Sequence, residues 1–496
     1  MADNNPNNND YAVMAVPLFG RRDIYTSVEE LTSENVLEEV NTALAWHMKN
    51  VMEEEYLYWY RRGLQPVLSR TKERNEWILN KIVENHAQEI VNFKNGYFLM
   101  EPAFYVSRAD DTQDSVNTLN EYLFRSGKQA ADNIVADWFH TVGKAALFVR
   151  SDDDPDIPVK AYAVDPRSAF VVYSMQPGNE PVYGVNIVVN GDTALVDVYT
   201  KNRVYKLKGG ASQQKTAGVR NFSATASELL EEKVNPLGHI PIIEYRYNSV
   251  NTSAFEDCIS LLDGINALRS NQIDGVEQFI QSLAVAVNCQ FEEGTTAADI
   301  KKLGMVVLSS IGENKADFRI LSEELNQEQT ETLVDAIYDQ VLKICAMPST
   351  TSRGRGTYDS TGAAAIFNNG WEQAASSARN TEDLFRESNR MFDEILVDVL
   401  RRKGILDIRL IDFKLNFVRN ETANVQSKAQ AAQTMLAMGM HPELAFKMSG
   451  LSNDPVSDVK MSEKYLKLIW GDPDTDKQGE AIVVEDDQDN GENSAL

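Results

Sequence analysis

Cysteine and histidine are scarce in this sequence of 496 residues. It contains three cysteines, Cys258, Cys289 and Cys345, and five scattered histidines. The cysteines are isolated and odd in number, and no CxxC pair occurs, so the sequence predicts neither a disulfide framework nor a zinc site. This pattern indicates synthesis in a reducing compartment.

Long apolar runs are also missing. No segment approaches the roughly eighteen consecutive apolar residues of a membrane-spanning helix, so we expect no membrane partner. The N-terminus lacks the basic and apolar regions of a signal peptide or transit sequence. Its run of Asn and Asp residues predicts a disordered arm over residues 1–26.

The motifs of common enzyme classes are absent. The pair Gly127-Lys128 lacks the upstream Gly and the following Ser or Thr of a phosphate-binding loop. Gly354 and Gly356 lack the third glycine of a dinucleotide fingerprint, and neither HExxH nor GxSxG occurs. The carboxylates do not cluster as a cation ligand set. The sequence therefore predicts no enzyme, no catalytic residue, no cofactor and no metal.

Cations are few. Lys and Arg number 48 against 74 Asp and Glu, for a net charge of −26. Affinity for phosphates comes from cations that displace counterions, so this balance argues against a surface that grips nucleic acid. It remains compatible with a surface past which DNA slides. Residues 471–496 are strongly acidic and predict a solvated, disordered tail.

What the chain does contain is enough apolar sequence, 43%, for a globular protein of several domains. Residues 27–95 read as helical, beginning with a capping box at Ser27–Glu30, and a further helix is predicted from Asp114 to Val142. A strand is predicted over Tyr97–Val106. From residue 145 to 247, short alternating runs separated by turn residues predict an antiparallel meander, so the first half is expected to be α+β.

Two acid-rich helices follow. The first is predicted from a capping box at Ser253–Glu256 to Leu283, and the second from Gln327 to Cys345; each has an apolar stripe at spacings of three and four. A solvated polar face over an ordinary core would explain either helix alone. The loop between residues 347 and 361 favours a special role, because it combines two glycines with Arg353 and Arg355, although a bare surface linker has the same composition.

The remaining segments are smaller. Residues 284–326 form an insert that is too small for a core of its own, so we expect it to be completed by neighbouring copies. A third long helix is predicted to start near Thr361 and end near Gly404. A strand-like run over Ile408–Phe417 and short helices at Ala429–Met438 and Pro442–Lys447 follow.

Several of these segments resemble the portal proteins of tailed double-stranded DNA bacteriophages, particularly those with long non-contractile tails. The resemblance rests on Gly238–Asn248 leading into the first acidic helix, on the loop Ser349–Gly362 ahead of Ala363–Phe367, and on Phe417–Glu421. The strongest support for the resemblance is the order of elements over residues 30–470.

The resemblance implies a phage-portal architecture with an α+β wing, long stem helices, a small α/β clip, a tunnel loop and a helical crown. Portals are rings, usually of twelve subunits, at one capsid vertex. The implied segments are wing 27–250, stem helices 251–283 and 327–346, clip 284–326, tunnel loop 347–361, long wing helix and return strand 362–419, and crown 420–470.

Partners and location follow from the same resemblance. It implies a homo-oligomeric ring in the virion, made in the host bacterial cytoplasm, with double-stranded viral DNA passing through the channel. The ring would dock the terminase large subunit and then head-completion or adaptor proteins, and it would contact the major capsid and scaffolding proteins.

The resemblance and the residue chemistry together give candidate site residues. In the tunnel loop they are Thr351, Ser352, Arg353, Arg355 and Tyr358, and in the clip Lys301 and Lys302 are expected to contact a partner. An acidic channel wall, which repels DNA and lets it slide, is expected from Glu256, Asp263, Asp274, Glu277, Glu331, Asp335 and Asp339. The alternative function is a non-channel capsid-associated scaffold or adaptor that assembles through the same helices; an acidic mimic of DNA would suit the charge but not the length.

Overall fold

The structure is a computed structural model of the chain. It forms two compact units, one of residues 1–108 and 114–423 and one of residues 109–113 and 424–496. The residues that the structure describes are 18–72, 78–108, 112–216, 219–280, 283–287, 289–290, 309–310, 317–321, 327–349, 370–418, 425–451, 458–459 and 462.

Helices and strands both contribute substantially, which confirms the α+β class. The helices are α1 (Val36–Arg61), α2 (His86–Phe98), α3 (Gln113–Arg125), α4 (Lys128–Val142), α5 (Ile259–Ile280), α6 (Gln327–Ile344), α7 (Trp371–Arg402), α8 (Val425–Ala437) and α9 (Pro442–Ser449). Short 3₁₀ turns lie at Pro66–Ser69 and Glu256–Cys258.

The strands fall mainly between α4 and α5. They are β1 (Ile24–Thr26), β2 (Phe104–Ser107), β3 (Lys144–Ser151), β4 (Val159–Val164), β5 (Ala169–Ser174), β6 (Pro181–Asn190), β7 (Thr193–Tyr199), β8 (Arg203–Thr216), β9 (Val219–Ala224), β10 (Glu228–Val234), β11 (Ile242–Arg246), β12 (Leu283–Val287), β13 (Cys289–Gln290), β14 (Ser309–Ser310), β15 (Asp317–Leu321) and β16 (Phe413–Asn416).

The predicted meander is only part of the sheet structure. A seven-stranded sheet has the order β1-β5-β6-β7-β8-β10, with β9 paired to β8; its β5–β8 portion is the predicted antiparallel meander, and β1 joins β5 in parallel. The prediction of one meander is wrong for β3, β4 and β11, which form a separate sheet of order β11-β3-β4. The four consecutive residues Lys144–Leu147 of β3 are all buried. Because successive side chains of a strand point to opposite faces, both faces of β3 are covered by the rest of the fold.

Two predicted helices contain a glycine with a positive φ. The helix predicted from Asp114 to Val142 is two helices, because Gly127 has φ 75° and ends α3. The third long helix is described from Trp371, after Gly370, whose φ of 81° lies outside the right-handed helical region. Residues 361–369 of the predicted helix lie outside the described residues.

The N-terminal elements also differ from the prediction. Helix α1 begins at Val36 after Asn35, so Ser27 does not cap it. Asn35 accepts a hydrogen bond from the backbone of Thr32 at 2.8 Å and closes the preceding turn. The helical region ends at Arg61, and no long helix links it to α2 in the part of residues 62–85 that the structure describes. The strand predicted from Tyr97 begins only at Phe104, because α2 extends to Phe98.

The three largest apolar clusters among the described residues lie in the larger unit. One joins α3, α4, β3 and α7 around Phe98, Phe139 and Phe385. A second lies between α1 and the seven-stranded sheet. The third joins α1 and α2 to α5 and α6, and in it the rings of Tyr60 and Phe255 stack with centroids 5.8 Å apart. The third cluster fixes the start of α5 to the α+β region.

The insert and the C-terminal unit have less described structure. In the insert, β12 pairs antiparallel with β15, and β13 with β14; the short helix predicted near residues 297–303 lies outside the described residues. In the smaller unit, α8 and α9 begin and end close to the predicted helices, with Ala432 and Ala445 buried.

Candidate functional site

Helices α5 and α6 form an antiparallel pair. At one end Cys258, just before α5, lies next to Cys345, just after α6. Further along, the Arg269 Nη2 of α5 donates to the Glu331 Oε1 of α6 at 3.2 Å. Between these contacts Leu262, Ile265, Val334, Val341 and Leu342 are buried. The stripe predicted on α5 supplies Leu262 and Ile265 to this contact. Of the stripe predicted on α6, Val341 is buried here but Leu333 and Ile344 are not, and Val334 and Leu342 from outside that stripe take their place.

Both helices also carry apolar residues outside their contact: Ile273 and Val276 lie past Arg269 on α5, whereas Leu333 and Ile344 neighbour buried residues of α6 but are themselves exposed. Ile273 and Val276 on α5 are 42% and 37% exposed, and Leu333 and Ile344 on α6 are 49% and 52% exposed. Isolated exposed apolar residues are ordinary, but these four repeat along two adjacent helices. A larger assembly would have apolar surface here to bury.

The predicted capping box at the start of α5 is half formed. The Ser253 backbone N–H donates to Glu256 Oε2 at 2.8 Å, as expected. The Ser253 hydroxyl instead donates to the His140 carbonyl at 3.2 Å, and a 3₁₀ turn precedes the α-helix. The Ser253 side chain, which was expected to cap α5, thus bonds the start of α5 to α4.

Glu256 lies in a buried ionic cluster. Arg21 Nη2 is 2.7 Å from Glu256 Oε1 and 3.2 Å from Glu53 Oε2, and the three side chains are 0%, 6% and 5% exposed in the order Arg21, Glu256, Glu53. Arg21 also donates to the Val142 carbonyl at 3.2 Å. Burial raises the pKa of Glu256, although Arg21 opposes the rise. A carboxylate enclosed in this way adds little charge to any surface.

Asp274 is enclosed by the segment that joins α1 to α2. Its side chain is 4% exposed and forms ion pairs with Arg70, at 3.2 Å, and with Lys72. The Asn80 backbone N–H donates to Asp274 Oδ1 at 2.7 Å. Burial raises the pKa of Asp274, but hydrogen bonds from Lys72 and Asn80 outweigh it and leave the pKa below its usual value.

The other two candidate acids of α5 also have partners within the chain. The Tyr60 hydroxyl donates to Asp263 Oδ1 at 2.9 Å, and Asn80 Nδ2 donates to Glu277 Oε2 at 2.9 Å. Burial raises the pKa of Asp263 despite the Tyr60 hydrogen bond. The expectation of an exposed acidic face on α5 is thus corrected at Glu256 and Asp274, because residues far away in the sequence cover them.

Helix α6 keeps its acids at the surface. Glu328 is exposed, and Glu331, Asp335 and Asp339 are half-buried. Glu331 is held by Arg269, and Asp339 Oδ1 accepts a hydrogen bond from the Ser349 hydroxyl at 3.2 Å. Of the predicted acidic wall, the three α6 residues Glu331, Asp335 and Asp339 are all partly accessible, as are Asp263 and Glu277 on α5, whereas the side chains of Glu256 and Asp274 are enclosed.

The sequence was compared with models of known protein families. A family model described as phage portal protein, SPP1 Gp6-like, matches residues 45–463. The chain belongs to this portal family. The match begins within α1 and extends beyond α9, so it includes both α5 and α6. No curated protein matches the chain.

Membership of the portal family gives the general role of this protein. It is a structural channel protein of the phage head–tail connector type, found in the capsid of the virion. The family forms an oligomeric ring that interacts with capsid and DNA. Among the helices in the described ranges, none combines the length and apolar content that crossing a bilayer requires.

Two groups of predicted site residues lie outside the described residues. They are the tunnel-loop candidates Thr351, Ser352, Arg353, Arg355 and Tyr358, and the clip candidates Lys301 and Lys302. The described structure stops at Ser349 on one side of the loop, after the buried Met347, and resumes at Gly370 on the other.

Sequence reasoning missed one feature of the helix pair. Cys258 and Cys345 are isolated in the sequence, but their Sγ atoms are 3.3 Å apart and both thiols are free and buried. The available signal was positional: one cysteine opens the first acidic helix and the other closes the second, so an antiparallel pair places them at the same end.

Proposed function

We propose that this portal protein assembles into a twelve-subunit ring at one capsid vertex, through which double-stranded DNA is packaged, retained and later ejected. The observation that carries the proposal is the family match over residues 45–463, which includes the complete antiparallel helix pair. In this proposal α5 and α6 are the stem helices.

The surface of the stem helices supports assembly. Ile273, Val276, Leu333 and Ile344 are between 37% and 52% exposed in the single chain. Burial of apolar area is the main favourable term in most protein association, and a head-to-tail interface that closes by rotation would cover this surface in every subunit.

The charge of α6 supports a sliding wall. Helix α6 carries Glu328, Glu331, Asp335 and Asp339 against Lys343, a net charge of −3. A twelve-subunit wall built on α6 would therefore carry roughly −36, which repels the DNA backbone and displaces none of its counterions. Because Glu256 and Asp274 are enclosed within the chain, α6 is the better candidate for the wall than α5.

The remaining assignments extend the same proposal. The clip, residues 284–326, docks the terminase large subunit and then head-completion or adaptor proteins, with Lys301 and Lys302 meeting an acidic partner. The tunnel loop, residues 347–361, contacts DNA phosphates through Arg353 and Arg355. The crown, residues 420–470, faces the capsid interior, where scaffolding and major capsid proteins meet the ring during assembly in the host cytoplasm.

Ring formation tests the proposal directly. The purified full-length chain is imaged by negative-stain electron microscopy, and its mass is measured by light scattering. We expect closed rings with an axial hole and a mass near 12 × 55.5 = 666 kDa. A monomer, or an assembly without a hole, would favour a non-channel capsid-associated scaffold or adaptor instead.

Packaging assays test the tunnel loop. The double variant Arg353→Ala/Arg355→Ala is expected to form intact rings but to lower the amount of packaged DNA. Arg125→Ala is the matched control, since Arg125 lies on the surface with a side chain 49% exposed. Normal packaging by the double variant would remove the role assigned to the loop.

A further inference from the structure

The two thiols at the end of the stem helix pair form a compact site. The Sγ atoms of Cys258 and Cys345 are 3.3 Å apart, and the residues are 0% and 6% exposed. They are 87 positions apart in the sequence, and one precedes α5 while the other follows α6. A covalent bond here would tie the start of one stem helix to the end of the other.

A buried cation lies beside this pair. Lys94 is 6% exposed, and its Nζ lies 3.5 Å from the carbonyl oxygen of Ala346, the residue after Cys345, and 3.4 Å from the Ser377 hydroxyl. Burial lowers the pKa of Lys94 to about 8, and the charge of its ammonium form favours the thiolate of Cys345. The thiolate is the reactive form of cysteine. The hydrogen bond between the thiols lowers the pKa of Cys258 and raises that of Cys345, so Cys258 is the better nucleophile.

We propose that Cys258 and Cys345 are a modification site, at which a hydroperoxide converts the two thiols into an intramolecular disulfide. The Cys258 thiolate attacks one peroxide oxygen, the O–O bond breaks, and the leaving oxygen departs as water after protonation. The resulting sulfenic acid is attacked by Cys345, which expels a second water and forms the S–S bond. Two thiols are oxidised by two electrons, and one hydrogen peroxide is reduced to two waters.

The geometry suits this chemistry. A disulfide needs sulfur atoms about 2.05 Å apart, so the thiols must approach by little more than 1 Å, which small side-chain rotations can supply. Hydrogen peroxide is small enough to reach buried thiols, whereas exchange with a bulky disulfide requires the helices to separate. The bond would close a chain segment of 87 residues and restrict the unfolded state.

The biological meaning rests on the proposed function. A reducing cytoplasm keeps the thiols free while rings assemble, and oxidising conditions outside the cell would close the bond in the virion. The disulfide would then hold the two stem helices together at the end nearest the α+β region, after assembly is complete.

Mass spectrometry of the full-length chain tests the site. Hydrogen peroxide treatment is followed by alkylation in denaturant and digestion after Lys and Arg, which separates the three cysteines onto different peptides. We expect a cross-linked pair containing Cys258 and Cys345, with the loss of two hydrogen atoms, and an alkylated Cys289. Full alkylation of Cys258 and Cys345, or links through Cys289 or between chains, would overturn the proposal.

Thermal unfolding supplies a second readout. Peroxide should raise the melting temperature of the wild type and of Cys289→Ser by several degrees, and a reductant should reverse the shift. Cys345→Ser should show no such shift. If Cys345→Ser does not fold, the peptide map of the wild type still decides. A monomeric chain that forms the bond would contradict the ring but not the thiol site, so the two proposals fail separately.

Discussion

Helices α5 and α6 are both acid-rich and pack antiparallel, but their acids face different surroundings. On α5, Glu256 and Asp274 are enclosed by Arg21, Arg70 and Lys72 from the N-terminal part of the chain. On α6, Glu328 is exposed and Asp335 is half-buried at the surface. An acidic stripe in a sequence can therefore be either a structural contact or an accessible surface, and cations from distant parts of the chain decide which.

The largest expected effect comes from removing Arg21, the cation at the centre of the buried ionic cluster around Glu256. Arg21→Ala leaves Glu256 buried without its ion-pair partner and leaves Glu53 with Arg22 alone. Breaking a buried ion pair in this way costs about 3–5 kcal/mol. We expect a loss of unfolding free energy of that size, measured by chemical denaturation. The control Arg125→Ala should cost about 1 kcal/mol or less, because its ion pair with Asp156 is exposed. Equal losses in the two variants would contradict the buried cluster.

A smaller effect should separate the two helices directly. Asp274→Asn removes the charge that Arg70 and Lys72 share, at an expected cost of about 2 kcal/mol, the scale of hydrogen bonds to charged groups. The matched variant Glu328→Gln on α6, at an exposed position, should change stability by less than about 0.5 kcal/mol. Denaturation midpoints of the two variants measure the difference, and equal losses in Glu328→Gln and Asp274→Asn would contradict it.

The pH dependence of the Asp274 effect sharpens the same contrast. Its pKa in the folded chain lies below the ordinary value of 3.8, so its contribution is complete above that value and declines as pH falls through the folded pKa. The difference in unfolding free energy between wild type and Asp274→Asn should therefore be constant above about pH 5 and shrink below about pH 4. A difference that grows on acidification would reverse the sign assigned to this group.

The smallest effect on stability is expected on α6, where the consequence should be functional. The double variant Asp335→Asn/Asp339→Asn should change unfolding free energy by less than about 1 kcal/mol. In the proposed ring it removes roughly two dozen charges from the wall, so DNA should adhere and packaging should slow. Packaged DNA measured per ring tests this, with Asp407→Asn as the control, since Asp407 follows α7 and its side chain is 82% exposed. Unchanged packaging would mean that α6 does not line the channel.

Much of the local structure could be predicted because its signal is local. Strands β3–β7 follow alternating apolar runs, and α5 and α6 follow stripes at helical spacing. Strand β10 was missed because most of its side chains are exposed and no alternation marks it. The break at Gly127 was missed because a glycine inside a helical pattern does not reveal its φ angle, which neighbouring packing fixes at 75°.

The candidate site was only partly predictable for a related reason. The acids of both helices were identified, and the order of elements pointed to the portal family, which the match over residues 45–463 confirms. Which acids stay at the surface was not predictable, since the cations that enclose Glu256 and Asp274 lie about two hundred or more positions away in the chain.

Most helices, most strands and the family could be predicted from the amino-acid sequence, because hydrophobic periodicity and the order of elements are properties of neighbouring residues. Only the tertiary structure decided the partner of each acid and the meeting of Cys258 with Cys345. Those contacts form when the antiparallel packing of α5 and α6 and the return of the N-terminal segments bring distant residues within a few ångströms. No local pattern encodes such a distance, because it depends on how every element between the two residues packs.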